Sequence, residues 1–189
     1  MSRKDGAVFL DRDGTINEEV GYLDSLNKLR IFPAAFEAVR MINESGMRVV
    51  VVTNQSGVAR GLFDEAFVER VHQQVRKRFR EQGAVIDRFY YCPHHPTEGI
   101  GRYRLACGCR KPEPGMLLRA SQDLGIDLSA SYVVGDTARD IELAHRCGST
   151  GILVRTGYGM DEALSGVNPA YIADDILDAA RWILEDRGR

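Results

Sequence analysis

Two aspartates stand two residues apart in Asp11-Arg12-Asp13-Gly14-Thr15, directly after the short apolar run Ala7-Val8-Phe9-Leu10. On an irregular turn, carboxylates at that spacing can converge on one point. Two like charges held so close call for a bound cation or a shared proton. An all-oxygen site of this kind suits Mg²⁺, which takes a few carboxylates and completes its coordination with water and a substrate phosphate. A solvated acidic turn would carry the same residues without any chemistry, so the pair needs partners elsewhere in the chain.

Three other segments offer them. Thr53-Asn54-Gln55-Ser56-Gly57 follows a β-branched run and gathers hydroxyl, amide and backbone N–H donors able to hold a phosphate oxygen, although an ordinary Asn/Ser/Gly turn reads the same way. Arg110-Lys111-Pro112 places a lysine just ahead of an expected helix N-terminus, a place suited to an anion, where a solvated basic pair is the plainer alternative. Gly135-Asp136-Thr137-Ala138-Arg139-Asp140 brings two more carboxylates, which can also serve simply as helix caps. Asn54-Gln55-Ser56 fits a glycosylation acceptor pattern, which is set aside because nothing reads as a secretion signal.

A second chemistry sits in Cys92-Pro93-His94-His95-Pro96 and Cys107-Gly108-Cys109. Three thiolates and the imidazole of His94 complete a closed tetrahedral zinc site with no position left for substrate. The loop at about 92–109 has few apolar residues, and a structural metal would replace the missing core. His95 faces solvent or substrate in this reading. Cys147 fills core space, and His72 and His145 lie on helix surfaces.

Apolar runs alternate with helix-like stretches along the chain. Strands are expected at 7–10, 49–52, 89–92, 132–134, 152–154 and 171–173. Helices are expected at 33–45, 64–82 with Asp64 as N-cap, 113–124 closed by Gly125, 139–147 closed by Gly148, and finally to about 185. The unbroken run Val49 to Val52 is that of a strand buried on both faces. Alternating strands and helices predict an α/β fold with a doubly wound parallel sheet. In such sheets the active site lies outside the carboxyl ends of the strands, where the four segments above fall.

Asp-x-Asp-Gly-Thr, Thr-Asn, Lys-Pro and Gly-Asp-x-x-x-Asp, each at the end or edge of a parallel strand, resemble the haloacid dehalogenase superfamily of phosphohydrolases across nearly the whole chain. That resemblance implies Asp11 as nucleophile, forming an aspartyl phosphate, and Asp13 as the acid and then base serving the alkoxide and the hydrolytic water. It implies Thr53 and Lys111 as stabilisers of the phosphoryl oxygens. Mg²⁺ would be held by Asp11, the backbone carbonyl of Asp13, and Asp136, with Asp140 supporting the site by orienting Lys111.

The Cys-Pro-His-His-Pro loop narrows the resemblance to the branch containing heptose-bisphosphate and histidinol-phosphate phosphatases. Glu19, Gly21 and Tyr22 lie where those relatives contact the sugar, and Asn54, Gln55 and Ser56 accompany Thr53 as substrate-binding candidates. Arg110 would grip a second, distal phosphate with its planar fork, which favours a sugar bisphosphate over histidinol phosphate. Thr137 departs from the relatives, where a lysine is frequent, and can alter substrate contacts. The anomer stays open. Neither gap between motifs holds a cap domain, so a single phosphatase domain spanning 1–189 is expected.

The 189 residues are 44% hydrophobic with a net charge of −2. That supports one packed core and gives no general attraction to nucleic acid or anionic membranes. A nucleic-acid 3′-phosphatase lacks its basic stripe here. A non-enzymatic zinc-stabilised module would be expected to have lost Asp11, Asp13, Lys111 or Asp136. No Gly-x-x-x-x-Gly-Lys loop of a kinase is present. No apolar run approaches a membrane span, and a cytoplasmic monomer acting on a small phosphorylated sugar is the expectation.

Overall fold

The computed structural model describes residues 6–160 and 166–188. Six strands form one parallel sheet: β1 (Ala7–Leu10), β2 (Arg48–Asn54), β3 (Arg88–Cys92), β4 (Tyr132–Gly135), β5 (Thr150–Val154) and β6 (Tyr171–Ala173). Their order in space is β3-β2-β1-β4-β5-β6. The chain winds outward in one direction from β1 through β2 to β3, then returns to the other side of β1 for β4 to β6. The reversal opens a crevice at the carboxyl ends of β1 and β4, the place where this architecture binds ligands.

Five helices cover the sheet: α1 (Pro33–Glu44), α2 (Glu65–Glu81), α3 (Gly115–Leu124), α4 (Ala138–Cys147) and α5 (Ile176–Arg187). Alternation along each strand assigns its side chains to one cover or the other. Val8, Leu10, Val49, Val51 and Val134 face one layer with Val39 of α1, Phe79 of α2 and Ile183 of α5. Ala7, Phe9, Val50, Val52 and Val133 face the opposite layer with Leu117 of α3 and Leu143 of α4. Both faces of the central strands are sealed, which is why they read as continuous apolar runs rather than alternating ones.

The expected elements are all present, and the differences at their ends carry physical reasons. β2 continues past its apolar run to Asn54, because Thr53 and Asn54 pair with Tyr91 and Cys92 of β3. That pairing carries the zinc-like loop to the edge of the site. α3 begins at Gly115 rather than at 113, since the residue before Pro114 is kept out of helical conformation and Glu113 instead closes a turn onto the Arg110 carbonyl. Asp64 caps α2 as expected, accepting the Phe67 N–H at 2.7 Å. Short 3₁₀ turns at Leu26–Lys28, Gly101–Tyr103 and Leu128–Ala130 went unread, being too brief to show a hydrophobic period.

His72 contradicts its expectation as a helix-surface residue. It is buried on the inner side of α2, 4.7 Å from the Phe89 ring in a stacked arrangement. The helical period around Val68, Val71 and Val75 carries it inward, and its ring serves there as an aromatic body. His145 is exposed as expected, and Cys147 packs, partly buried, against the α3–α4 layer.

Phe79 is fully buried and meets Phe36 at 4.8 Å between ring centroids, joining α2 to α1. Phe79→Ala should therefore cost about 3–5 kcal/mol of unfolding free energy, read as a lowered denaturation midpoint in urea.

Candidate active site and metal cluster

Lys111 organises the crevice. Its Nζ lies 2.8 Å from Asp11 Oδ1, 2.7 Å from Asp140 Oδ1 and 3.1 Å from the Val52 carbonyl oxygen, so all three ammonium protons are spoken for. Burial opposes charge on Lys111, but Asp11 and Asp140 outweigh it and raise its proton affinity. Asn54 fixes the backbone of the same residue, accepting the Lys111 N–H at 3.0 Å and donating to its carbonyl at 3.2 Å. The Asn54 side chain is thereby committed to the loop, although the residue still lines the cavity.

Asp140 uses its other oxygen at home. It accepts the Thr137 N–H at 3.2 Å and the Thr137 hydroxyl at 2.7 Å, which caps α4. Both readings of Asp140, helix cap and lysine holder, describe the same carboxylate. With its oxygens so engaged, Asp11 and Asp136 remain as the carboxylates facing open space.

Donor atoms of Asp11, Asp136 and Asp140 all lie within 4.8 Å of one another and all three residues are buried. Three carboxylates face a single ammonium. Burial is the main cause that pushes both Asp11 and Asp136 up to about 7, helped in each by the neighbouring carboxylates. A buried excess of negative charge on oxygen donors is the condition a hard divalent cation relieves, and the donor set fits Mg²⁺.

Asp136 is gripped by loops from two other strands. Tyr158 donates its backbone N–H to Asp136 Oδ2 at 2.9 Å, and the Thr156 hydroxyl donates to the Gly14 carbonyl at 2.6 Å. Gly14 and Gly157 have φ of 83° and 59°, and a Cβ on either would lie 2.1 Å from Asp136 Oδ2. This turn after β5 was missed in the sequence. Its signal was there in Thr156-Gly157-Tyr158-Gly159, a glycine-rich turn at a strand's carboxyl end.

Asp13 has a different environment from Asp11. Arg12, itself 1% exposed, clamps it with Nε and Nη2 at 3.2 and 2.8 Å; Asn17 and Gln55 donate at 2.9 Å each. Burial raises the Asp13 carboxyl, but the charge and hydrogen bonds of Arg12 lead a larger opposing effect, and its proton affinity ends below the ordinary value. Gln55 also donates to the Thr53 hydroxyl at 2.8 Å, tying the β2 end to the β1 turn.

A cavity of about 110 Å³ opens over these groups. Asp11, Asp13, Thr53, Gln55, Ser56, Lys111, Asp136 and Thr137 line it, as do the expected sugar contacts Glu19, Gly21 and Tyr22. Glu19 accepts the Gly21 N–H at 2.5 Å, and burial, then the charge of Asp13, push it up to about 6. Arg110 does not line this cavity. It borders an adjacent one of about 560 Å³, with Nη1 donating to the His94 carbonyl at 3.1 Å. Arg139, Phe63 and Tyr158 line the first cavity and were not anticipated.

The second cluster assembles as expected. Cys92 Sγ lies 3.4 Å from Cys107 Sγ and 3.7 Å from His94 Nδ1; Cys109 Sγ lies 3.2 Å from Cys107 Sγ and 3.5 Å from His94 Nδ1. A Zn–S bond of about 2.3 Å sets a tetrahedral S–S edge of about 3.8 Å, slightly wider than these separations. Hydrogen bonding from Cys92, ahead of that from Cys107 and His94, holds the Cys109 thiol down at about 5, against the opposing effect of burial. His95 is partly exposed and stands outside the four-ligand cluster. Its Nδ1 accepts the Glu98 N–H at 2.9 Å and shapes the loop. The Tyr91 and Tyr103 hydroxyls both donate to Glu65 of α2, at 2.8 and 2.7 Å, and fasten the loop to the domain.

The crevice at the reversal of a parallel sheet, the Asp11–Asp13 turn and the buried lysine together define a hydrolase of the haloacid dehalogenase type. A family model described as HAD-hydrolase-like matches residues 108–179. The D-glycero-beta-D-manno-heptose-1,7-bisphosphate 7-phosphatase of Vibrio cholerae serotype O1 is 43% identical over 182 residues, covering 94% of this chain and 96% of that enzyme. The enzyme of the same name from Escherichia coli K12 is 43% identical over 185 residues, covering 97% and 91%. The crystal structure of D,D-heptose 1,7-bisphosphate phosphatase from B. bronchiseptica, complexed with magnesium and phosphate, superposes with a TM-score of 0.85 at 32% identity and covers 96% of this chain and 99% of its own. The chain belongs to the phosphatase family that these bacterial enzymes represent, a family of phosphoric monoester hydrolases. Among the described residues no helix is long and apolar enough to cross a membrane.

His72 ends the chain of contacts behind Asp13. Its Nε2 faces Arg12 Nη1 at 3.4 Å and its Nδ1 has no hydrogen-bond partner. Burial, then the Arg12 charge, lowers it from 6.5 to about 3. Between those values the unfolded chain binds a proton at this position and the folded chain does not, so His72 lowers stability as pH falls through that window. His72→Gln should lose less stability than the wild type between pH 6.5 and 3, measured as urea midpoints; parallel pH slopes would refute this.

Proposed function

We propose that this chain is a single-domain, cytoplasmic, monomeric phosphatase that removes the 7-phosphate of D-glycero-β-D-manno-heptose 1,7-bisphosphate. The product is the heptose 1-phosphate that feeds nucleotide-heptose synthesis for bacterial surface polysaccharide. The observation that carries the substrate is 43% identity to enzymes of that name over nearly the full length of both chains. The β anomer, open from the sequence, follows from the same relatives.

Asp11 is the nucleophile. Its carboxylate attacks phosphorus, the ester bond breaks, and the departing alkoxide takes a proton from Asp13. Asp13 then accepts a proton from water, whose oxygen displaces Asp11 and releases inorganic phosphate. Arg12, Asn17 and Gln55 favour the carboxylate of Asp13, the state the second half needs. The charge of an incoming phosphate beside Asp13 favours the protonated state that the first half needs. The Thr53 hydroxyl holds a phosphoryl oxygen, and the positive charge of Lys111, whose protons go to Asp11, Asp140 and Val52, offsets the negative charge that builds there. Asp11, Asp136 and the backbone carbonyl of Asp13 hold Mg²⁺, which when bound offsets the repulsion between Asp11 and a phosphate dianion. Asp140 positions Lys111 at 2.7 Å, and Thr137 supports Asp140. Glu19, Gly21 and Tyr22 contact the sugar with Gln55 and Ser56, and Arg110 meets the distal end of the substrate.

Cys92, His94, Cys107 and Cys109 hold a structural Zn²⁺. Cys109 and Lys111 are separated only by Arg110, so that metal steadies the catalytic lysine's own segment.

The test is kcat/KM with Mg²⁺ for both anomers of heptose 1,7-bisphosphate, histidinol phosphate and a 3′-phosphorylated oligonucleotide. A preference of ~100-fold or more for the β-bisphosphate is expected, about 2.7 kcal/mol in transition-state binding. Preference for histidinol phosphate would overturn the substrate while leaving the chemistry. Asp11→Asn should abolish turnover while leaving the fold intact, read as an unchanged far-ultraviolet circular dichroism spectrum. Cys107→Ser should lose one equivalent of zinc by elemental analysis and lower the melting temperature; full metal content would remove the zinc assignment.

A further inference from the structure

We infer that Arg139 supplies a distal anion-binding group of this site, so that the substrate's second phosphate lies between the guanidiniums of Arg139 and Arg110. The inference rests on the bisphosphate reading above and names a residue that the motifs did not single out.

Three observations converge on it. Arg139 lines both the 110 Å³ cavity over Asp11 and the 560 Å³ cavity bordered by Arg110, so it stands where the two spaces meet. It is exposed and makes no ion pair or side-chain hydrogen bond with any described residue. The other charges nearby are already neutralised: Lys111 by Asp11 and Asp140, Glu113 by Arg146 at 2.7 Å, and Arg60 by Glu98. The larger cavity is left with the guanidiniums of Arg110 and Arg139, neither of them in an ion pair among the described residues.

That arrangement is electrostatically uphill without an anion. Arg139 sits in the first turn of α4, where the helix dipole opposes positive charge. Arg139 and Arg110 also border the same 560 Å³ cavity. Thr137, two residues earlier, donates its hydroxyl to Asp140 and has no proton left for an anion. A phosphate dianion between the two forks would receive several charge-assisted hydrogen bonds and cancel the repulsion. Asp136 and Asp140, on either side of Arg139 in sequence, are both held by hydrogen bonds within the site.

The experiment compares kcat/KM for heptose 1,7-bisphosphate with that for heptose 7-phosphate, which lacks the distal group, in wild type, Arg139→Ala and Arg139→Lys. Arg139→Ala should lower the bisphosphate-to-monophosphate ratio by ~10-fold or more, carried by KM, a loss of about 1.4 kcal/mol. Arg139→Lys should restore part of it by keeping the charge without the fork. A wild-type preference that survives unchanged in Arg139→Ala would overturn the inference and leave the substrate reading standing. A wild type without preference between the two sugars would overturn both.

Discussion

Everything at the mouth of this sheet depends on holding one buried ammonium group at the floor of the cavity. A buried charge is tolerated only when its partners are complete, and Lys111 is completed by Asp11, Asp140 and the Val52 carbonyl. Each of those partners belongs to a different element: the turn after β1, the first turn of α4 and the strand β2. Satisfying a single lysine therefore fixes three elements relative to one another. The capping of α4 joins the same arrangement, because the carboxylate that receives the lysine also receives Thr137. Fold and chemistry are coupled through one group rather than through a layer of independent contacts.

The order of strands and helices was legible because the sequence punctuates it. The short, unbroken β-branched run Val49 to Val52 reads as a strand sealed on both faces, and Pro33, Gly125 and Gly148 mark helix ends. The acidic cluster was legible because carboxylates at the carboxyl ends of a parallel sheet's strands gather on one side of it. What remained hidden depends on side-chain direction. Residue type alone places His72 on a helix surface, whereas the period of Val68, Val71 and Val75 turns it inward. Arg110 was expected beside the cleft and lies one cavity over, since its fork reaches back to the His94 carbonyl. Arg139 passed unremarked because an arginine in the first turn of a helix has many uses, and only the cavity shapes reveal which side it faces.

The Cys/His loop and the catalytic segment are one stretch of backbone. Glu65 gathers Tyr91 and Tyr103, and Gly115 closes onto the Gly108 carbonyl at 2.8 Å, so the loop is anchored at both ends and in the middle. A loop this poor in apolar side chains has little hydrophobic burial to hold its shape. Hydrogen bonds to Glu65 and the four converging side chains carry that task instead.

The close approach of Gly14 and Gly157 on either side of Asp136 has a consequence for how the protein tolerates change. Neither glycine carries a functional group, and neither would attract notice in a search for reactive side chains. Yet any side chain at either position displaces the carboxylate between them. In a survey of random substitutions, these two positions will register as inactivating alongside the acidic residue they flank, and for steric reasons alone. Two turns far apart in the chain are thereby held to glycine by a single carboxylate.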